Sequence, residues 1–146
     1  MWEVEHSVTT SAHPEHVWRL WAHVAGWPEW NGDIEAIELE GAFAAGGRIL
    51  MTPYGQEPVE LRIAEAVEPA LFVDEADLGV VIVRTTHRVE GIGDGRSRVT
   101  YRMEISGPAA EELGPELGPA ISADFPETLA ALAARAEASA PTPARS

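Results

Sequence analysis

The chain has 146 residues, no cysteine, and 24 acidic against 10 basic side chains, which gives a formal net charge of −14. A chain of this length is typical of one domain whose hydrophobic core is large enough to be stable without a disulfide or a structural metal. The lack of cysteine excludes disulfides, thiol nucleophiles and Cys-ligated metal centres. The negative field repels phosphate backbones, so we expect no nucleic-acid partner.

The N-terminal residues predict a strand, a helix and a break. They lack the basic start and apolar run of a secretory signal, and no apolar segment reaches the roughly 18 residues of a membrane span, so we expect a cytoplasmic protein without a membrane span. "VEHSVTT" alternates like a strand. "SAHPEHVWRLWAHV" is typical of a helix with Ser11 as N-cap and Pro14 in its first turn, and Gly26 and Pro28 end that helix.

Three of the five tryptophans fall within the short segment "WAHVAGWPEWN". Trp21 lies on the apolar helix stripe that begins with Val17, which predicts a core position. Trp27 and Trp30 fall where the helix is broken, and they either close one end of the core or contact a bound molecule.

From residue 33 to about residue 106 the apolar period changes to two, which predicts six further strands. Their sequences are "DIEAIELEG", "GRILMTPYG", "EPVELRIAEAVEP", "ALFVDEADLG", "VVIVRTTHRVEGIG" and "RSRVTYRMEIS". Long strands with one polar face indicate an antiparallel sheet that is covered on one side only. The polar face carries arginines that we expect in cross-strand ion pairs with glutamates: Arg48, Arg62, Arg84, Arg88, Arg98 and Arg102.

The last third of the chain is predicted to be helical. "PAAEELGPELGP" is interrupted by Gly and Pro, which favours a broken helical turn or two. "AISADFPETLAALAARAEA" predicts a long helix with Ile121, Phe125, Leu129 and Leu132 on one face, and with a kink or a start at Pro126. Residues 139–146 have the composition of a disordered tail, so we expect one domain over residues 1–138.

Together these elements predict an α+β fold. A curved antiparallel sheet of about seven strands wraps around a long C-terminal helix, with short helices after the first strand. One helix does not fill the concave side of such a sheet. The remaining space is either filled by side chains or open as a ligand pocket.

The chain resembles the START-like, helix-grip (SRPBCC) superfamily, and within it the polyketide cyclase/dehydrase and lipid-transport branch. The resemblance extends to about residue 138, and it is carried by "SAHPEHVWRLWAHVAGWPEWN", by "FAAGGR" and by the Leu/Ala-rich C-terminal helix. It implies a hydrophobic cavity between sheet and helix, entered near the broken first helix, and no obligatory cofactor. Aromatase/cyclase members would be expected to place an arginine inside the pocket, and no residue of this chain matches one.

His87 and Tyr101 are the sharpest candidates for chemistry, because both fall on the apolar face of neighbouring strands. A His and a phenol in an apolar interior need hydrogen-bond partners. They either satisfy each other, or they present polar groups to a ligand, or they act as an acid/base pair. On the strand before them, Glu75 would be a buried carboxylate with a raised pKa if it pointed inward, whereas a solvated cluster of Asp74, Glu75 and Asp77 is the simpler interpretation.

The predicted ligand-binding set adds aromatic and flexible side chains near the same space. It consists of Trp27, Trp30, Met51, Tyr54, Thr85, His87, Tyr101, Met103, Phe125 and Leu129. Met adapts to irregular ligands but also fills ordinary cores. The histidines match no metal motif, so we expect no metal.

Three functions fit these observations. The first is binding of a hydrophobic small molecule (a lipid, polyketide, isoprenoid or aromatic metabolite) by a monomer or homodimer. The second is a polyketide cyclase or dehydrase that uses His87 and Tyr101. The third is an interaction module with a filled cavity.

Overall fold

Seven antiparallel strands form a single sheet in the computed structural model, which describes residues 1–139. In chain order they are β1 (Trp2–Thr10), β2 (Ile34–Glu40), β3 (Arg48–Pro53), β4 (Val59–Val67), β5 (Leu71–Asp77), β6 (Ile82–Gly93) and β7 (Arg96–Ser106). Their spatial order is β1-β7-β6-β5-β4-β3-β2, so β1 crosses to pair with β7 and every other neighbour follows in sequence. The predicted number and type of strands are confirmed.

Four helical segments complete the fold. They are α1 (Pro14–Ala22), a 3₁₀ helix (Val24–Glu29), α2 (Ala110–Ser122) and α3 (Phe125–Ser139). Residues 140–146, most of the predicted tail, lie outside the described residues. The predicted helix-grip arrangement is confirmed, with α3 packing against β1 and α1 on the concave side of the sheet.

The start of α1 differs from the prediction. The N-cap is His13, which makes no side-chain capping bond, and not Ser11. His13 precedes Pro14 and is extended, with φ −72° and ψ 154°. The proline ring disfavours a helical conformation for the residue before it, and this favours Pro14 as the first helical residue.

The segment expected to form broken turns is instead one helix, α2, which holds Pro115 and Pro119 in its interior. Both prolines are exposed, so the carbonyl groups that lose an N–H partner can be solvated. Gly114 and Gly118 are buried on the opposite side, where they lie directly against the indole of Trp2.

α3 begins at Phe125, so Pro126 lies in its first turn. Of the two predicted alternatives, a kink or a helix start at Pro126, the structure has the start. Ile121 does not share the buried face of α3. It lies in α2 and is exposed, whereas Leu129 and Leu132 of α3 are fully buried. The change of helix axis at residues 123 and 124 rotates Ile121 out of the predicted stripe.

Strand alternation gives the sheet an inner face toward α3 and an outer face toward solvent. The inner face packs into two core clusters. One contains Trp21, Phe72, Tyr101 and Leu129, and the other lies under α2 around Met103.

Candidate functional site

A row of polar side chains crosses the inner face of the sheet from β5 to β7. Asp74 lies on β5 opposite Thr85 of β6, and Thr85 lies opposite Met103 of β7. One register position further along, His87 lies between Phe72 of β5 and Tyr101 of β7. The sheet register therefore brings together three predicted site residues of the polar row, Thr85, His87 and Tyr101.

His87 is held in one orientation and one tautomer. Its ring stacks on Phe72 with centroids 3.9 Å apart and planes at 2°, and Nδ1 lies 3.3 Å from the Phe72 carbonyl oxygen. Because a carbonyl oxygen only accepts, Nδ1 carries the proton and Nε2 presents a lone pair. Burial lowers the pKa of His87 to about 3, although the hydrogen bond to the Phe72 carbonyl raises it in part. The imidazole is therefore neutral at physiological pH.

Tyr101 is 4% exposed, and its hydroxyl oxygen accepts a hydrogen bond from Trp21 Nε1 at 3.2 Å. Its ring meets His87 edge-on, with centroids 4.6 Å apart. Burial raises the pKa of Tyr101, and so does the nearby charge of Asp74, while the bond from Trp21 acts against both. His87 and Tyr101 thus touch through their rings, but they form their hydrogen bonds with different residues: His87 donates to the Phe72 carbonyl oxygen, and Tyr101 accepts from Trp21.

Asp74 is the inward-facing acid of β5, a position that the sequence analysis considered for Glu75. It is only 6% exposed, and no hydrogen bond reaches its carboxyl group among the described residues. Its Oδ2 lies 3.9 Å from His87 Nε2. Burial, aided by the charge of Glu75, raises the pKa of Asp74 to about 7.

Glu75 points to the outer face, where it accepts hydrogen bonds from Arg84 at 2.7 Å and from Arg62 at 2.8 Å. These bonds lower its pKa. The pKa values of two adjacent carboxyl groups of one strand are therefore shifted in opposite directions, because Asp74 is buried and Glu75 is paired with two cations.

The arginines of the sheet lie on its outer face, as predicted. Ion pairs join Arg48 to Glu40 and Glu60, Arg62 and Arg84 to Glu75, Arg98 to Glu90, and Arg102 to Glu3 and Glu5. An outer groove of about 370 Å³ runs among Arg84, Arg88 and Arg102. Among residues 1–139, no arginine reaches the inner row.

Trp27 and Trp30 have different surroundings. Trp27 is buried, and its Nε1 donates to the carbonyl oxygen of Trp21 at 3.0 Å. Trp30 is half-buried and lines an open groove of about 510 Å³ with Ala131 and Ala134 of α3. Trp27 thus closes the end of the core, whereas Trp30 faces a side of α3 that does not carry its buried leucines.

The other predicted ligand contacts divide by exposure. Met103 and Leu129 are fully buried in the two clusters. Met51 and Phe125 are half-buried on the inner side, and the Phe125 ring meets Tyr101 edge-on at 5.7 Å. Tyr54 lies in the turn after β3 and is 63% exposed, so its part in ligand binding stays a prediction.

A second acid stands where α3 begins. Asp124 is half-buried beside Phe125, and its carboxyl group interacts with that of Asp33. Burial, followed by the interactions with Asp33, raises the pKa of Asp124 to about 6. Within residues 1–139, no three His, Asp or Glu side chains come together as a potential metal site. No helix in that range has the length and apolarity needed to cross a membrane.

Comparison with known proteins places this chain in a family. The model of the family described as polyketide cyclase/dehydrase and lipid transport matches residues 1–137. The chain belongs to that family. The resemblance seen in the sequence is confirmed, and no curated protein gives a significant match to this family member.

Several solved structures share the fold of this family member, although their sequence identity to it is low. Norcoclaurine synthase from Thalictrum flavum, in complex with dopamine and hydroxybenzaldehyde, is 14% identical with a TM-score of 0.76, over 96% of this chain and 88% of that one. A START superfamily protein from Mycobacterium smegmatis is 14% identical with a TM-score of 0.69, over 93% and 97%. The di-domain ARO/CYC protein BexL of the BE-7585A biosynthetic pathway is 22% identical with a TM-score of 0.74, over 94% and 47%.

Proposed function

We propose that this protein binds a hydrophobic small molecule between the inner face of β2–β4 and the start of α3. The observation that carries the proposal is a contrast in burial along the inner face. On β7 the inward side chains are fully buried, whereas on β2–β4 several inward apolar side chains stay half-buried: Ile37, Leu39, Met51, Val59 and Leu61. A half-buried apolar stripe on a concave face is typical of a ligand site.

Leu61 and Phe125 mark where this site lies. Each packs against both core clusters, and each is still half-buried. A side chain that borders two clusters and keeps an accessible surface indicates an incompletely filled seam between them. Asp74 and His87 supply polar groups beside the seam, as expected for a mostly apolar pocket with a few oriented polar contacts.

The first test is native mass spectrometry of protein purified from its own host. We expect a co-purified mass in the range of a lipid or aromatic metabolite. Leu61→Trp fills the seam and should abolish that mass, whereas Leu50→Trp adds the same side chain to the outer face of β3 and should keep it. Titration with the neutral dye Nile red gives a second readout of the same pair of variants.

Two results count against the proposal. One is a protein that is repeatedly empty and fails to bind Nile red, which would favour an interaction module with a filled interior. The other is equal binding by the Leu61→Trp and Leu50→Trp variants, which would locate the bound molecule elsewhere.

Acid/base catalysis on the bound molecule is a second candidate function. It is favoured by a buried carboxyl group with a pKa of about 7 whose Oδ2 lies 3.9 Å from the lone pair of a neutral imidazole. A group that titrates near the working pH is best placed for proton transfer. His87→Ala separates the two functions, because an enzyme loses turnover while its ligand affinity changes modestly, and a carrier has no turnover to lose.

A further inference from the structure

The hydrogen-bonding groups of the inner face restrict which molecules fit there, and this inference rests on the proposed function. Asp74 is more than nine-tenths buried and has no hydrogen-bond partner among the described residues. His87 spends its only N–H on the Phe72 carbonyl and turns the lone pair of Nε2 toward the Asp74 carboxyl group. When Asp74 is ionised, as it mostly is at about pH 8, its Oδ2 and His87 Nε2 are two acceptors 3.9 Å apart with no donor between them among the described residues.

No arginine of residues 1–139 lies on the same face. All ten basic residues of the chain are arginines, and the nine in the described range lie on the outer sheet face, on exposed parts of α1 and α3, or in the β6–β7 hairpin. His6 faces inward beside Phe125, where the two rings meet edge-on. Tyr101 is a neutral donor that suits a ligand carbonyl or ether, and Asp124 adds a second acid near the seam.

Burying an anion without a counter-charge is strongly unfavourable. A ligand carboxylate or phosphate at this place would meet Asp74 and a lone pair, and no described cation. A ligand amine or hydroxyl would instead supply the donor that the two acceptors lack, and an ammonium group would also pair with the carboxylate.

We propose that the bound molecule carries a hydrogen-bond donor at its buried end, as a hydrophobic amine or alcohol does, and that fatty acids and other hydrophobic carboxylates are rejected. Asp74 is the residue that sets this preference, and His87 Nε2 is its second acceptor. The apolar remainder of the molecule lies along Leu61 and Phe125.

The test uses matched probes that differ only in their polar end: naphthylethylamine, naphthylethanol and naphthylpropionate, with the phenyl series as a smaller scaffold. Each is titrated calorimetrically into the wild-type protein at about pH 8, where Asp74 is mostly ionised. We expect the amine and the alcohol to bind at least about tenfold more tightly than the carboxylate.

Asp74→Asn removes the charge without changing the shape of the side chain, and it should reduce the difference between the amine and the carboxylate to about threefold or less. Glu65→Gln is the matched control. It removes one charge from the outer side of β4, where Glu65 borders the outer groove, and it should keep the full preference. This control is needed because the net charge of −14 attracts any cation to the surface.

The possible failures differ. If no probe of either scaffold binds the wild-type protein, the proposed function fails. If the probes bind and the carboxylate is as tight as the amine, the ligand site stands and the donor preference is overturned. If Asp74→Asn and Glu65→Gln change the preference equally, the effect belongs to the overall charge and Asp74 does not set it.

Discussion

At the scale of single residues, Asp74 and His87 make opposite contributions to the pH dependence of stability. The pKa of His87 falls from 6.5 to about 3 on folding, so the unfolded chain binds more protons between these values and stability rises with pH. The pKa of Asp74 rises from 3.8 to about 7, so the folded chain binds more protons and stability falls with pH. Between about pH 4 and pH 6.5 the two contributions largely cancel.

Asp74→Asn should lift this cancellation. We expect the free energy of unfolding of the variant, relative to wild type, to rise between about pH 4.5 and pH 6.5 by up to about 1.4 kcal/mol per pH unit. His87→Gln should show the opposite trend. Urea unfolding at several pH values measures both, and profiles parallel to that of wild type would contradict the buried position of these groups.

The bond from Trp21 Nε1 to Tyr101 Oη links α1 to β7 inside the core. We expect Trp21→Phe and Tyr101→Phe to be coupled by about 1 kcal/mol in a double-mutant cycle, because each single change leaves the partner's polar group buried. Chemical denaturation of the four proteins gives the coupling energy. A coupling near zero would mean that the two polar groups find other partners.

Residue positions were predictable where the alternation of a strand is clean. In β7 every second residue from Val99 to Ile105 is apolar, and in β6 the positions of Val83 and Val89 alternate with Arg84 and Arg88, so His87 and Tyr101 could be assigned to the inner face correctly. In β5 the run Leu71, Phe72 and Val73 is apolar at three consecutive positions. Such a run does not define which face is inward, and the face of Asp74 stayed open until the pairing of Phe72 with His87 was known.

At the scale of elements, α2 depends on the absence of side chains at two positions. Gly114 and Gly118 lie one helical turn apart against Trp2 of β1, and a Cβ atom at Gly114 would stand 2.6 Å from Trp2 Cβ. In an exposed helix, a Gly→Ala substitution stabilises the protein by up to about 1 kcal/mol. In α2 we expect it to destabilise the protein instead, because the added methyl group overlaps Trp2.

Gly118→Ala should therefore destabilise the protein by about 1–3 kcal/mol, as overpacking does. The matched test is the same substitution in a Trp2→Leu background, where the smaller side chain should make Gly118→Ala neutral or stabilising. Thermal unfolding of the four proteins separates the two effects. An equal cost in both backgrounds would show that α2 does not rest on the indole.

Helix boundaries were the least predictable part of the fold. Two prolines and two glycines in "LGPELGP" favour a break by local preference. The helix forms because its four interrupting residues divide by face, with the glycines inward and the prolines toward water. The glycines and the prolines each recur with the spacing of a helical turn. A search for apolar helix stripes misses this pattern, because it scores neither glycine nor proline as an apolar core residue.

At the scale of the whole molecule, repulsion among the excess acidic groups lowers the stability of the folded state. Exposed pairs such as Arg48–Glu60 and Arg98–Glu90 contribute little each, and the 24 acidic side chains outnumber the 10 basic ones. Raising NaCl from about 0.01 M to about 0.5 M should stabilise the protein by roughly 1 kcal/mol, about 3–5 °C in Tm.

A variant with fewer charges tests the cause. Glu35 and Glu38 are exposed on β2, one of the two edge strands of the sheet. Glu35→Gln combined with Glu38→Gln should raise Tm at low salt and reduce the gain from added salt. A Tm that falls with salt would mean that the ion pairs of the outer face outweigh the repulsion.

The architecture followed from the order and period of the elements, but the openness of the interior did not. A sheet wrapped around one helix predicts a space. Whether side chains fill that space depends on small changes of curvature, such as the register shift between Ile63 and Glu65. This is why the sequence could name Met51 and Phe125 as neighbours of a ligand, yet not state which part of the inner face stays accessible.

The paired tryptophans give this protein an optical signal of its own. The indoles of Trp27 and Trp30 lie 6.2 Å apart with planes at 53°, and those of Trp18 and Trp21 lie 6.3 Å apart at 77°. Indoles this close and this inclined couple their electronic transitions, and they should produce an exciton couplet in circular dichroism. The segment that connects β1 to β2 can thus be followed without a label, separately from the spectrum of the sheet.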